Sequence, residues 1–151
     1  MNKISLFFLI GFTMIFSYSF NALKVNGEIS WKTAEEAITL SKKDGKPIFI
    51  DVYTDWCGWC KILDKKTFQN SDVVEYVSEN YHAVKLNPEK EGSFQFKGEE
   101  FTNESFAVSH DVNSYPAIIV IHPKGKNKVF VGYRDSESFL EILKKYKRQV
   151  D

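Results

Sequence analysis

The chain has 151 residues, a formal net charge of zero, and 43% apolar and 26% charged residues, the balance of one globular domain and not of a disordered chain. Twenty lysines and arginines against twenty acids leave no basic excess, so nothing supports binding to a phosphate backbone. Two cysteines exclude a multi-disulfide scaffold and a four-cysteine zinc site, and 13 phenylalanines provide for a sizeable core.

Residues 1–19 read as an address. Lys3 precedes an almost wholly apolar run, Ile4 to Phe16, the pattern of a secretory signal. Ser17 and Ser19 have the small-residue spacing for cleavage after Ser19. Ala22 is a second candidate, with bulky Phe20 two residues before it. An uncleaved anchor is the alternative, although Ile4 to Phe20 is marginal against the about 20 apolar residues of a bilayer span. No cysteine follows the run, which excludes a lipid-anchored lipoprotein. The expected location is therefore outside the cytosol, periplasmic or secreted, with a membrane-anchored form as the alternative. Cysteines there usually form structural disulfides, but Cys57 and Cys60 close a loop too short to constrain the unfolded chain much.

In the body of the chain, residues 20–151, Thr33 and Glu36 form a capping-box pattern for a helix from Ala34 to about Asp44, stopped by Gly45 and Pro47. Pro47 to Tyr53 is β-branched and aromatic and reads as a buried strand with one anomaly, Asp51. A helix is expected from Cys57 to about Lys66. It continues or restarts through Asp72 to Asn80, with Asp72 cap-like and Val73, Val74 and Val77 as an apolar stripe. His82 to Leu86 is a second core strand. Pro88 to Ser105, with five glutamates and three phenylalanines, is expected to be an irregular excursion with a short helix from about Glu104 to Ser109. Ala117 to Ile121 is the clearest strand, turned at Pro123–Lys126 into a hairpin strand, Val129 to Tyr133. Asp135 caps a last helix from Ser136 to about Lys147. Early alternation of helix and strand implies parallel crossovers, and the late hairpin an antiparallel edge. The fold class is α/β, a mixed sheet of about four or five strands with helices on both faces.

The segment Trp56-Cys57-Gly58-Trp59-Cys60-Lys61 follows a buried strand and opens a helix. Cys57 falls at the helix N-terminus, where free N–H groups and the dipole stabilise an anion. A thiolate is the nucleophile of thiol–disulfide exchange. Cys60, three residues on, shares its face and can resolve the mixed disulfide that Cys57 forms. Half a zinc site would need partners, but His82, His110 and His122 lack the spacing. Haem attachment needs a histidine where Lys61 stands.

From Ile48 to Lys147 the chain resembles the thioredoxin superfamily, in particular exported thioredoxin-like thiol–disulfide interchange proteins. The cysteine motif resembles the active-site motif. Asp51 matches a buried strand aspartate, Lys85 in Val84-Lys85-Leu86-Asn87 the lysine beside it, Tyr115-Pro116-Ala117 a cis-proline loop, and Gly132 a glycine that keeps the nearby surface open. The resemblance implies a Cys57–Cys60 redox disulfide, Asp51 as proton acceptor for Cys60, and Lys85 as partner of Asp51. It also implies a substrate surface of Trp56, Gly58, Trp59, Tyr115 and Pro116. Burial should raise the Asp51 pKa; the plain alternative is an aspartate bonding loop N–H groups at a strand end. Lys85 is alternatively a solvated strand-edge lysine.

Trp59 departs from the family, whose commonest motif has proline there and whose oxidising relatives often have histidine. No imidazolium is available between the cysteines to stabilise a strongly oxidising thiolate, which tilts the reading toward a reductant. Disulfide oxidation or isomerisation, or a binding or chaperone module using the Trp56–Trp59 surface, are the alternatives. The expected partners are disulfide- or thiol-containing proteins and a membrane-bound electron donor, with no metal or organic cofactor beyond the dithiol.

Overall fold

The computed structural model describes residues 27–150, so the signal segment and both cleavage positions lie outside the described residues. Among the described residues no helix is long and apolar enough to cross a membrane. In chain order the elements are β1 (Trp31–Lys32), α1 (Ala34–Asp44), β2 (Ile48–Val52), α2 (Gly58–Lys66), α3 (Ser71–Asn80), β3 (His82–Leu86), β4 (Ser93–Phe96), β5 (Glu99–Thr102), α4 (Asn103–Ser109), β6 (Ala117–Ile121), β7 (Lys128–Val131) and α5 (Ser136–Val150).

The main sheet is mixed and five-stranded, ordered β1-β3-β2-β6-β7. β1 and β2 pair parallel with β3, whereas β2–β6 and β6–β7 are antiparallel. Central β2 is buried at every position, because helices cover both faces and leave no solvated side. Its side chains alternate between two cores. Phe49 faces one with Leu63 of α2, Val73 and Val77 of α3, and Phe139 and Leu143 of α5. Ile48, Ile50 and Val52 face the other with Ala37 of α1 and Phe106 and Ala107 of α4. Asp51 has the parity of Phe49 and stands opposite Lys85 in the β2–β3 register.

Local signals explain the boundaries. The Thr33–Glu36 capping box is reciprocal, with Glu36 N donating to Thr33 Oγ1 at 3.2 Å and Thr33 N to Glu36 Oε2 at 3.0 Å. Gly45 ends α1 at φ 78°, a left-handed position suited to glycine. The start of the third helix differs from the expectation at Asp72. Asn70 is the cap, its Oδ1 accepting from Asp72 N at 3.0 Å and Val73 N at 3.3 Å, since a side-chain carbonyl one residue before the helix reaches two free N–H groups.

The largest correction concerns residues 88–105. They do not form an irregular excursion. β4 and β5 pair as an antiparallel hairpin, Phe94 opposite Phe101, turning at Lys97 and Gly98, both at positive φ, the backbone of a tight two-residue hairpin turn. Phe94, Phe96 and Phe101 pack their rings against fully buried Phe106 at 4.9, 5.4 and 5.6 Å. Lys-Gly is a weaker turn signal than Asn-Gly, and the polar residues between the phenylalanines are the solvated face of a two-stranded ribbon. Strand β1 was also not expected, since two residues are too short to show a period.

Candidate functional site

Beyond Val52 the chain leaves the sheet and enters α2 through Tyr53–Trp56, and Cys57 is the helix N-cap. Its Sγ accepts the Cys60 N–H at 3.1 Å, so the atom expected to carry charge occupies the position where a helix offers an unpaired donor. Cys57 N donates to Thr54 O at 3.2 Å and Lys61 N to Cys57 O at 3.3 Å, fixing the cap. Cys57 and Cys60 are joined by a disulfide, and each is only 4% exposed. Around them the surface is aromatic and open. Trp56 and Trp59 are 66% and 59% exposed; Trp56 meets Tyr115 edge-on at 5.9 Å, and Trp59 leans on Tyr133 at 5.5 Å. Gly58 lies exposed between them.

The Tyr115–Pro116 bond is cis, as the resemblance implies. Gly132 N donates to Pro116 O at 2.8 Å. Gly132 holds φ 92°, and a Cβ there would project into open space. The strained backbone, not crowding, therefore calls for glycine.

Beneath this surface Asp51 is 1% exposed. Lys85 Nζ donates to its Oδ2 at 3.1 Å and also to Asp64 Oδ1. Asp51 Oδ1 has no hydrogen-bond partner among the described residues. Burial pushes the Asp51 carboxyl up to about 6, against the pull of Lys85 and with a smaller push from Asp64. Burial works to lower Lys85, but Asp51 and Asp64 outweigh it and hold the ammonium above its ordinary range. The lysine also lies over the Trp31 and Tyr53 rings at 4.8 and 4.9 Å, where ring quadrupoles favour a cation. The strand-end alternative for Asp51 and the solvated alternative for Lys85 both fail against this geometry.

Three further residues were not singled out in the sequence. Asp64 stands four residues after Cys60, a spacing that places both on one side of α2; that signal was readable. Glu89 and Lys90 were not locatable, because their contacts to the cysteine loop span more than thirty positions. Trp56 Nε1 donates to Glu89 Oε1 at 2.8 Å, and Lys90 Nζ pairs with Asp55 at 3.0 Å.

A family profile described as a thioredoxin-like domain matches residues 34–147. The chain belongs to the thioredoxin-like family. The disulfide bond reductase DsbH of Chlamydia pneumoniae is 26% identical over 107 residues, covering 70% of this chain and 63% of that protein, so the match spans a little under two thirds of that relative. The thioredoxin of Borreliella burgdorferi is 31% identical over 107 residues, 70% of this chain and 78% of that one. The solved structure of the DsbH oxidoreductase superposes with a TM-score of 0.62 at 22% identity, covering 79% of this chain and 84% of that one, a likeness of fold. The thioredoxin-like match takes in both cysteines, Asp51, Lys85, Pro116 and the β4–β5 hairpin.

Proposed function

We propose that the protein is an exported thiol–disulfide oxidoreductase that reduces protein disulfides through Cys57 and Cys60. The observation that carries this is the Cys57 sulfur at the α2 cap, accepting the Cys60 N–H at 3.1 Å. In the reduced protein the same donor and the helix dipole favour a Cys57 thiolate. That thiolate attacks one sulfur of a substrate disulfide. A Cys57–substrate disulfide forms, the substrate S–S bond breaks, and the departing thiolate takes a proton from water. Cys60 then loses its proton through water to Asp51 and attacks Cys57 Sγ; the Cys57–substrate bond breaks, the Cys57–Cys60 disulfide forms, and the second substrate sulfur leaves as a thiolate that takes a proton from water. Lys85 stabilises the ionised Asp51 that is ready to accept that proton. An external dithiol, on this reading a membrane-bound donor, must reduce the pair again; the dithiol is the only redox group invoked. Trp56, Gly58, Trp59, Tyr115 and Pro116 form the surface that receives the substrate chain.

The reducing direction draws on the absence of a histidine between the cysteines and on the relative named a disulfide bond reductase. Export, to a periplasm or to the medium, draws on Lys3 and the apolar run Ile4 to Phe16. An insulin-reduction assay tests the assignment. Cys57→Ser is expected to abolish turnover, and Cys60→Ala to accumulate a mixed disulfide. Turnover that survives Cys57→Ser would refute it.

A further inference from the structure

The zero net charge conceals a separation of charge along the sheet. Val52 of β2 and Ala117 of β6 pair at the end that carries Cys57 and the cis-proline loop, whereas Ile48, His82, Ile121 and the start of β7 gather at the other. Several elements bring cations to that far end. Lys42 and Lys43 occupy the last turn of α1. Lys97, at the hairpin tip, lines one small pocket with Lys42, Phe96 and His122. Lys124, Lys126 and Lys128 follow one another through the β6–β7 turn and border a recess with Tyr146 of α5. Tyr146 Oη holds that turn by donating to Lys126 O at 2.8 Å. All six lysines are exposed, and none is in an ion pair among the described residues. The acids near them are Asp44, engaged with His82 Nε2 at 3.0 Å, Glu79 at the end of α3 and Glu99 beside the hairpin tip.

Two observations indicate what this end meets. The first is how the charge is laid out. It is spread over separate elements, and Trp56 and Trp59, the exposed aromatic side chains among the described residues, are both at the dithiol end. A protein interface is built around buried aromatic or arginine anchors, whereas a bilayer with anionic headgroups presents a diffuse field that asks only for charge. The second is where the described chain begins. β1 runs parallel to β3 with Trp31 opposite Ala83, one residue from the far end of that strand, and Ile29 before it is buried in the same core as Tyr81 and Tyr146. The apolar run Ile4 to Phe16 therefore precedes a domain that the chain enters from its cationic end.

We propose that the end of the domain opposite Cys57 docks on an anionic lipid bilayer, with Lys42, Lys43, Lys97, Lys124, Lys126 and Lys128 against the headgroups. Docked in this way, Cys57 faces away from the lipid, into the aqueous space where protein disulfides are met. A membrane-bound donor then has to present its dithiol one domain's height above the bilayer. The docking depends neither on the direction of the redox reaction nor on Cys57 being the attacking thiol.

The test uses the full chain as the producing cell processes it, recovered in soluble form. Partitioning is measured by co-sedimentation with vesicles of phosphatidylcholine alone and of phosphatidylcholine with phosphatidylglycerol at about 7:3. At about 50 mM salt the anionic vesicles should bind at least about a hundredfold more tightly than the neutral ones, and most of that preference should be lost at about 500 mM. The triple variant Lys124→Gln, Lys126→Gln, Lys128→Gln should lose about a hundredfold on anionic vesicles at the lower salt. Lys61→Gln, Lys65→Gln, Lys66→Gln removes as much charge from α2 beside the dithiol and should lose less than about threefold. Acrylamide quenching of Trp56 and Trp59 should be the same on vesicles as in solution. Equal binding to both vesicle types overturns the proposal, as does an equal loss in the two triple variants or protection of Trp56 and Trp59 on the vesicles. A short DNA duplex that binds more tightly than the anionic vesicles at the same salt also overturns it, since the end would then serve another polyanion. The vesicle, salt and quenching comparisons use the parent alone and decide the matter even where a variant fails to fold.

Discussion

Replacing Asp51 with asparagine is expected to stabilise the folded protein at neutral pH while slowing disulfide reduction. Asp51 is 1% exposed, and burial lifts its pKa to about 6, from about 3.9 in an unfolded chain. A carboxyl that binds its proton more tightly when folded stabilises the fold below the unfolded pKa. It loses that contribution as pH rises through the folded value, and above it the buried charge remains as a penalty of about 3 kcal/mol. Asparagine has no such dependence. Lys85 is not stranded by the change, because Asp64 still accepts from it. Urea denaturation of the disulfide form is run for parent and variant at about pH 4 and about pH 7.5. The stability difference should move by about 2–3 kcal/mol in favour of the variant at the higher pH. Taking the change with pH cancels whatever the amide does to packing. A difference that stays constant, or that moves the other way, refutes the assignment of Asp51 as a buried acid with raised proton affinity.

Lys85→Met removes the ammonium 3.1 Å from Asp51 and should raise the Asp51 pKa further, by about 1–2 units, read from the carboxyl carbon in an NMR titration. Asp64→Asn should move it down, because the push from Asp64 is lost and Lys85 is left to Asp51 alone; two variants shifting together would contradict the shared-lysine geometry. Phe106→Ala should destabilise the protein by about 3–5 kcal/mol, measured by urea denaturation, with amide protection lost first in β4 and β5, because Phe106 is the ring on which Phe94, Phe96 and Phe101 rest.

Much of the architecture was legible because local and global signals agree. The Thr33 capping box, the valine stripe of α3 and the run Ala117–Ile121 each state their element within a few residues. The position of Cys57 at a helix start was legible for the same reason, since it depends only on the strand before it and the periodicity after it. Asp51 announced itself as a charge inside an apolar strand. What the sequence did not show was pairing at a distance. The β4–β5 ribbon draws its stability from the core it shares with α1, α4 and the main sheet, and its solvated face hides the period. Glu89 reads as one acid among five in that stretch, and only the folded chain brings it to Trp56. Strand β1 exists because β3 offers it an edge, and nothing within two residues could reveal that.

The hairpin shares no ladder with the main sheet and is held by its phenylalanines, which pack on Phe106 of α4 and into the core behind it. Its tip, Lys97 and Gly98, is exposed, while its root continues into the turn that carries Glu89. Tip and root are therefore separable under selection. Insertions at the tip are the kind that surface loops tolerate, whereas changes at the root reach the Trp56 indole through its hydrogen bond to Glu89. A lineage could in this way lengthen the far end of the ribbon while the surroundings of the two cysteines stand still.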